Sequence, residues 1–306
     1  MAKEVGIQKV QDFWGTEACG SQFIRDFIDE RDFFAQYRQF RYRTEWHIPS
    51  FASFDSARDQ SVLEIGCGNG ADGVMFALHG AHYTGVDLTE AAVEATKRHF
   101  AVMGLAGDFR VENAEQLSFA DNTFDVVYSY GVIHHTPDPE KALREIYRVL
   151  KPGGRALMML YHQHSFNYYV RVLGYMRLRV LWTIISRYRR QKEDQSRAEA
   201  ARLSGVRGNT SKLVWGMHYE NFLREGWDYL KPKSFVHRCT DGPECPYAYT
   251  YSKREAGKLF AAFQRVCMRV GHFPLRKTSG GRLIPFKVEE FLAGRVGWHL
   301  LISAWK

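Results

Sequence analysis

Cysteine is scarce in this chain and follows no pattern. The 306 residues hold five (Cys19, Cys67, Cys239, Cys245 and Cys267), an odd number without zinc or iron–sulfur spacing. That argues for a reduced, cytoplasmic setting and for no metal. Long apolar runs are also missing. Arg171, Arg177 and Arg179 interrupt the best candidate, which falls short of the ~20 residues a membrane-spanning helix needs. Met1-Ala2-Lys3-Glu4 has no apolar signal core behind it. No internal repeat is visible, and the length suits one full core plus a substantial accessory region. The expectation is a soluble chain.

The net charge of +8 hides an asymmetry. Residues 1–160 carry 16 Lys and Arg against 23 Asp and Glu, a net of −7, whereas residues 161–306 carry 26 against 11, a net of +15. The second half could meet a phosphorylated or carboxylated small molecule, an anionic membrane surface, or nucleic acid. A merely solvated basic surface accounts for it equally well.

Against this background one stretch stands out, Val62-Leu63-Glu64-Ile65-Gly66-Cys67-Gly68-Asn69-Gly70. It reads as a buried strand running into a tight turn, with a helix over Ala71–Leu78 and a left-handed stop at Gly80. Glycines there let a ligand approach the backbone, and the first helical turn offers N–H groups to it. Two ligands fit. Gly68-Asn69-Gly70-Ala71-Asp72-Gly73 is literally GxGxxG, a dinucleotide fingerprint, with Asp87 about 20 residues on. The alternative reads Glu64 together with Gly66, Gly68 and Gly70. A carboxylate beside the turn repels a pyrophosphate and tolerates a sulfonium amino acid.

The chain beyond the turn separates these readings. His82–Val86 is a strand ending in Asp87, with a helix from about Thr89 that Asp87 could cap. Phe109–Glu112 is a short strand leading to Asn113 and Ala114. Asp121–Ser129 is a turn and buried strand opening into Tyr130-Gly131-Val132-Ile133-His134-His135-Thr136-Pro137. Asp138-Pro139 starts a helix, Lys151-Pro152-Gly153-Gly154 stops it, and Arg155–Tyr161 is the next strand. Four motifs in this order over residues 62–161 resemble class I, Rossmann-like S-adenosylmethionine (SAM) dependent methyltransferases of the bacterial small-molecule type. Trp14-Gly15-Thr16-Glu17-Ala18-Cys19-Gly20 looks like an opening motif of a bacterial subgroup of that family.

The resemblance implies an α/β fold. Its doubly wound, mostly parallel seven-stranded sheet would have an antiparallel last strand, a helical N-terminal cap and a helical insertion. Residues 1–55 would be the aromatic cap and 56–161 the SAM-binding core. Residues 162–250 would be an accessory lid that meets the acceptor, and 251–306 would complete the sheet with strands at Val266–Val270 and Gly297–Trp305. SAM would be held by Glu64, Gly66, Cys67, Gly68, Gly70, Asp87, Leu88, Asn113, Ala114, Ser129 and Tyr130. Asn113 stands where the family usually has an acidic residue, and its amide oxygen can still accept from the adenine amino group.

Methyl transfer from a sulfonium needs collinearity and neither a covalent nucleophile nor a metal. A hydroxyl acceptor gains from a neutral histidine base, and His134 or His135 is the candidate, packing being the ordinary alternative for each. His162 and His164 leave the next strand, and no carboxylate at ligand spacing joins the four into a metal site. The expected reaction is methyl transfer to O, N or C of a small, possibly anionic molecule. A lipid or quinone met at a membrane surface by the arginine-rich segment 171–190 is an alternative. RNA methylation fits less well, because no Asn-Pro-Pro-Tyr type of motif follows the fourth strand, and no nucleic-acid partner is expected. A nicotinamide oxidoreductase rests on the literal GxGxxG alone. Neither the acceptor nor the oligomeric state can be read from the sequence.

Overall fold

The structure is a computed structural model, and it describes residues 2–15, 21–188, 211–274 and 283–306. Thr16–Gly20 of the opening motif, Arg189 and Arg190, and the polar stretch Gln191–Thr210 read as loose lie outside the described residues.

In chain order the main elements are helices α1 (Ala2–Trp14), α2 (Glu30–Thr44) and α3 (Ile48–Ala52), then strand β1 (Ser61–Ile65), α4 (Ala71–Leu78), β2 (His82–Asp87), α5 (Glu90–Met103) and β3 (Asp108–Val111). They continue as β4 (Phe124–Tyr130), α6 (Pro139–Val149) and β5 (Leu150–His162). A π-helical stretch, Asn167–Met176, runs into α7 (Arg177–Tyr188). After α8 (Ser211–Glu225) and α9 (Pro232–Thr240) come β6 (Thr250–Tyr251), α10 (Lys253–Leu259), β7 (Arg265–Gly271), α11 (Phe286–Val296) and β8 (His299–Trp305).

Seven strands form one sheet in the order β3-β2-β1-β4-β5-β8-β7. The first five are parallel neighbours, and β8 runs antiparallel to both β5 and β7. This is the expected doubly wound sheet with one antiparallel last strand. An eighth strand was not foreseen. Two-residue β6 pairs Tyr161 and His162 of β5, just past the point where β4 stops at Tyr130 opposite Met159. It satisfies backbone groups that β4 is too short to reach.

Strand alternation splits the core in two. Val62, Val126, Tyr128, Leu157 and Met159 face one layer, whereas Leu63, Ile65, Val127, Met158 and Leu160 face the other. On the second face α6 buries Ala142, Leu143, Ile146 and Val149, a helical stripe. Each large apolar side chain so buried contributes about 1.5–3 kcal/mol before entropy. The helix starts where the sequence says, at Asp138 with Pro139 behind it, the Asp138 carboxylate accepting from the Lys141 N–H at 3.0 Å. For α5 the cap differs from the expected one. Thr89 is the N-cap, and Asp87 instead accepts from the Thr89 N–H and hydroxyl, both at 3.0 Å.

Candidate active site

The carboxyl ends of β1, β2 and β4 open into a cleft of about 1050 Å³ counted to its mouth. The glycine turn is its floor. Gly66, Gly68 and Gly70 all have positive φ (+83°, +56° and +72°), which only glycine adopts freely. A Cβ on Gly66 would stand 2.1 Å from a Val132 methyl, whereas one on Gly68 would meet nothing within 4 Å. The first glycine is therefore required by packing, and the second leaves room in the cleft. Gly66 and Cys67 both donate N–H bonds to the Val86 carbonyl (2.7 and 3.1 Å), tying the turn to β2.

Three carboxylates gather beside the turn. Asp87 accepts from the Gly68 N–H at 3.2 Å, and burial raises its pKa. Glu64 is buried and accepts from the Tyr83 hydroxyl at 2.6 Å. Burial first, then the neighbouring Asp72, push its pKa well up. Asp72 is the best provided: Arg41 reaches it through Nε at 3.1 Å and Nη2 at 2.5 Å, Tyr42 donates at 3.0 Å and Tyr128 at 2.9 Å. Burial works against the Arg41 charge, but Asp72 and Glu45 outweigh it and hold the guanidinium protonated. Glu64, Asp72, Asp87 and Arg41 all line the cleft, where the acidic groups outnumber the cation. An ammonium or sulfonium ligand suits that balance.

Of the residues expected to hold a cofactor, Glu64, Gly66, Cys67, Gly68, Asp87, Leu88, Ala114 and Tyr130 line the cleft. Gly70 sits behind it, its Cβ direction blocked by Thr96 at 2.9 Å. Ser129 is turned away, donating to the Ile65 carbonyl at 3.0 Å. Asn113 spends its amide oxygen on the Glu115 N–H at 2.9 Å, while its neighbours Glu112 and Ala114 face the cleft. Ser129 alternates with Tyr130 at the end of β4, whereas Asn113 opens a turn closed by its bridge to Gln116.

The paired histidines lie in one turn of 3-10 helix, Ile133–His135, and point to different surroundings. His135 lines the cleft. Its Nδ1 lies 2.6 Å from the Tyr247 carbonyl, so the ring proton sits on that nitrogen, and Nε2 stands 3.8 Å from Asp241 Oδ2. His134 is fully buried behind it, between His135 and Tyr161 at ring separations of 4.3 and 4.0 Å. Burial drives its pKa well below the ordinary value. His134 is not among the residues that line the cleft.

Val10 and Trp14 of α1 and Tyr37 and Arg41 of α2 line the cleft, and among the described residues none from 162–250 does. Among the described residues that segment meets the site at His135, through Tyr247 and Asp241. Arg41 and Asp72 were missed from sequence. Arg41 is one of five arginines between 25 and 43 with nothing to single it out, and Asp72 is an unmarked position of the glycine motif.

Residues 63–158 match the family model described as a methyltransferase domain. They match a methyltransferase domain, set on a doubly wound α/β sheet. Among curated proteins, a ubiquinone biosynthesis O-methyltransferase of Pseudomonas aeruginosa (strain UCBPP-PA14) is 34% identical over 116 residues, 38% of this chain and 50% of that one. One from Pseudomonas putida (strain F1) is 32% identical over 120 residues, 39% and 52% of the two chains. The chain thus spans about half the length of the curated relatives it matches. A solved SAM-dependent methyltransferase structure from Methanosarcina mazei aligns over 81% of this chain and 93% of that one, with 21% identity and a TM-score of 0.49. The methyltransferase domain ends before the accessory segment, so the matched residues include the glycine turn, Asp87 and His135 but neither Arg41 nor Asp241.

Proposed function

We propose that the chain is a SAM-dependent methyltransferase acting on a hydroxyl group of a small molecule. The observation that carries the reading is the cleft itself: three left-handed glycines with open space at Gly68, beside Asp87 and Glu64. Asp87 suits the ribose hydroxyls, Glu64 and Asp72 the cationic amino end, and Arg41 the carboxylate of the methionine part, all being groups of complementary charge lining one cavity. SAM, when bound, supplies the activated methyl group. The chain's own work is to exclude water with Trp14, Tyr37 and Val10 and to hold the acceptor in line, within about 3–3.5 Å of attack. His135 takes the acceptor proton on Nε2, because Nδ1 already bears the proton donated to Tyr247. The named function of the Pseudomonas relatives, an O-methyltransferase of ubiquinone biosynthesis, supports oxygen over nitrogen or carbon.

Calorimetry with SAM and its demethylated product tests the cofactor assignment: Asp87→Ala should lose most affinity. NADH binding without SAM binding would overturn it.

One observation favours a lipid-like acceptor met at a membrane surface. Tyr175, Leu178, Trp182 and Ile185 are exposed at helical spacing along the arginine-rich segment, while Val172, Val180 and Thr183 pack inward. No helix among the described residues is long and apolar enough to cross a membrane, so such contact would be with the surface.

A further inference from the structure

Three buried histidines, a glutamate and a tyrosine converge beside the cleft, and the methyl-transfer reading uses none of the histidines. Glu45 caps the C-terminus of α2, and His47 precedes α3. His272 follows β7, His299 opens β8 and Tyr130 ends β4. His47, His272 and His299 are 4%, 7% and 3% exposed. Buried imidazoles need partners for their ring nitrogens, which draws these side chains together. The His272 φ of +63° puts a non-glycine residue in the left-handed region, a strain of about 1 kcal/mol or more that clusters at functional positions.

The hydrogen bonds set the direction of each donor. The Tyr130 hydroxyl lies 2.7 Å from His47 Nε2 and 2.9 Å from His299 Nδ1. One hydroxyl proton serves one ring, so the oxygen accepts from the other. With His47 accepting, His299 donates from Nδ1 and turns its Nε2 electron pair towards Glu45 Oε1, 3.8 Å away. The other Glu45 oxygen meets Arg41 Nη1 at 3.4 Å, and Asp72 neutralises that arginine. His272 stacks on His299 at 4.2 Å with the ring planes 12° apart, so one ring must turn for both to address one ion, and one donor atom each from Glu45, His272 and His299 lie within 4.8 Å of one another.

We infer that Glu45, His272 and His299 form a binding site for a divalent first-row transition ion, with zinc the ordinary occupant. Two imidazoles and a carboxylate are a donor set such ions prefer. Donors bonded at about 2.1 Å to one tetrahedral ion stand about 3.4 Å apart, so Glu45 and His299 need close by only a few tenths of an ångström. The supporting shell is in place. Tyr130 holds the far nitrogen of His299 and Arg41 the far oxygen of Glu45, as outer partners of metal ligands do. Three protein ligands leave a coordination position open, and Tyr130, shared by site and cleft, connects the two. The site lies apart from the paired histidines His134 and His135.

The test uses the untagged full chain, stripped with a chelator and titrated with Co²⁺ as the spectroscopic probe. One equivalent should bind with the visible ligand-field bands of a four- or five-coordinate nitrogen and oxygen site, and Zn²⁺ should displace it. His299→Ala and His272→Asn should each weaken uptake tenfold or more while far-UV circular dichroism stays that of the parent. His164→Ala, at an exposed histidine, should leave uptake unchanged. Absence of saturable uptake at one equivalent would overturn the proposal, as would uptake that survives both His299→Ala and His272→Asn.

Discussion

Arg41 of α2 and Asp72 of α4 meet through two hydrogen bonds, Nε–Oδ1 at 3.1 Å and Nη2–Oδ2 at 2.5 Å, across 31 residues of chain. The pair joins the N-terminal helices to the helix that follows the glycine turn, and the Asp72 side chain is 1% exposed. Removing one partner of such a pair leaves a charge buried without its counter-charge, which costs about 3–5 kcal/mol. Arg41→Met should therefore destabilise strongly and also weaken SAM binding. Asp72→Asn in the Arg41→Met background should recover part of the stability, because the orphaned charge is gone. Chemical denaturation of the two single variants and the double variant gives the coupling, expected at about 2 kcal/mol or more. Additive losses would mean that Tyr42 and Tyr128 alone satisfy Asp72.

Glu64 should show a conflict between stability and binding. Burial and Asp72 raise its pKa above the ordinary 4.5. The folded chain therefore holds this proton to higher pH than the unfolded chain does. Between pH 4.5 and the raised folded value, folding takes up a proton, so this residue's contribution to stability falls as pH rises through that window. Glu64→Gln keeps an acceptor for Tyr83 and removes the charge. At neutral pH it should raise the melting temperature of the ligand-free chain by about 2–4 °C, flatten the pH dependence above 4.5, and weaken SAM about tenfold or more. Scanning calorimetry across pH checks the first two. An unchanged pH slope would show that Glu64 is ionised at no net cost.

These two carboxylates mark the limit of what the sequence discloses. Glu64 is legible because its meaning is local: a strand, an acid and alternating glycines within nine residues dictate a turn with open backbone. The cap at Asp138 follows from a pattern of similar range, whereas the doubly wound sheet and its antiparallel last strand are read from the family resemblance. Arg41–Asp72 is a contact of two surfaces, and no short pattern encodes it. The histidine cluster is more extreme, since His47 and His299 come within 3.3 Å across 252 residues. The roof was sought in 162–250 from chain position and aromatic content. Those side chains divide otherwise: Tyr168, Tyr229 and Phe235 are buried in the core beneath, whereas Tyr169 and Trp182 point outwards. Composition alone could not sort them.

His135 and Asp241 predict separable effects on catalysis and binding. His135→Ala removes the base and should lower kcat about a hundredfold or more on a hydroxyl acceptor, with SAM affinity within about threefold of the parent. Asp241 receives the Tyr161 hydroxyl at 3.0 Å on Oδ1 and turns Oδ2 towards His135 Nε2. Its charge would favour the imidazolium that forms when the ring takes a proton. Asp241→Asn should lower kcat about tenfold and leave SAM binding unchanged. Stopped assays and calorimetry on both variants decide it. Full turnover in His135→Ala would reduce the residue to a packing role.

The exposed stripe on the arginine-rich segment makes the last prediction. Tyr175, Leu178, Trp182 and Ile185 recur at three- and four-residue intervals on one face, and Leu178 and Trp182 are 67% and 71% exposed. Arg171 and Arg179 are exposed along the same segment. Each large apolar side chain moved from water into an acyl boundary contributes about 1.5–3 kcal/mol, and each nearby arginine about 1 kcal/mol at an anionic surface. Binding should therefore need both components. The full chain should co-sediment with vesicles containing phosphatidylserine and much less with neutral ones, and added salt should weaken the association. Trp182→Asp should reduce it by tenfold or more, with SAM affinity unchanged because Trp182 is not among the residues lining the cleft. Equal recovery of parent and variant with anionic vesicles would remove the membrane reading and leave a water-soluble acceptor as the substrate class.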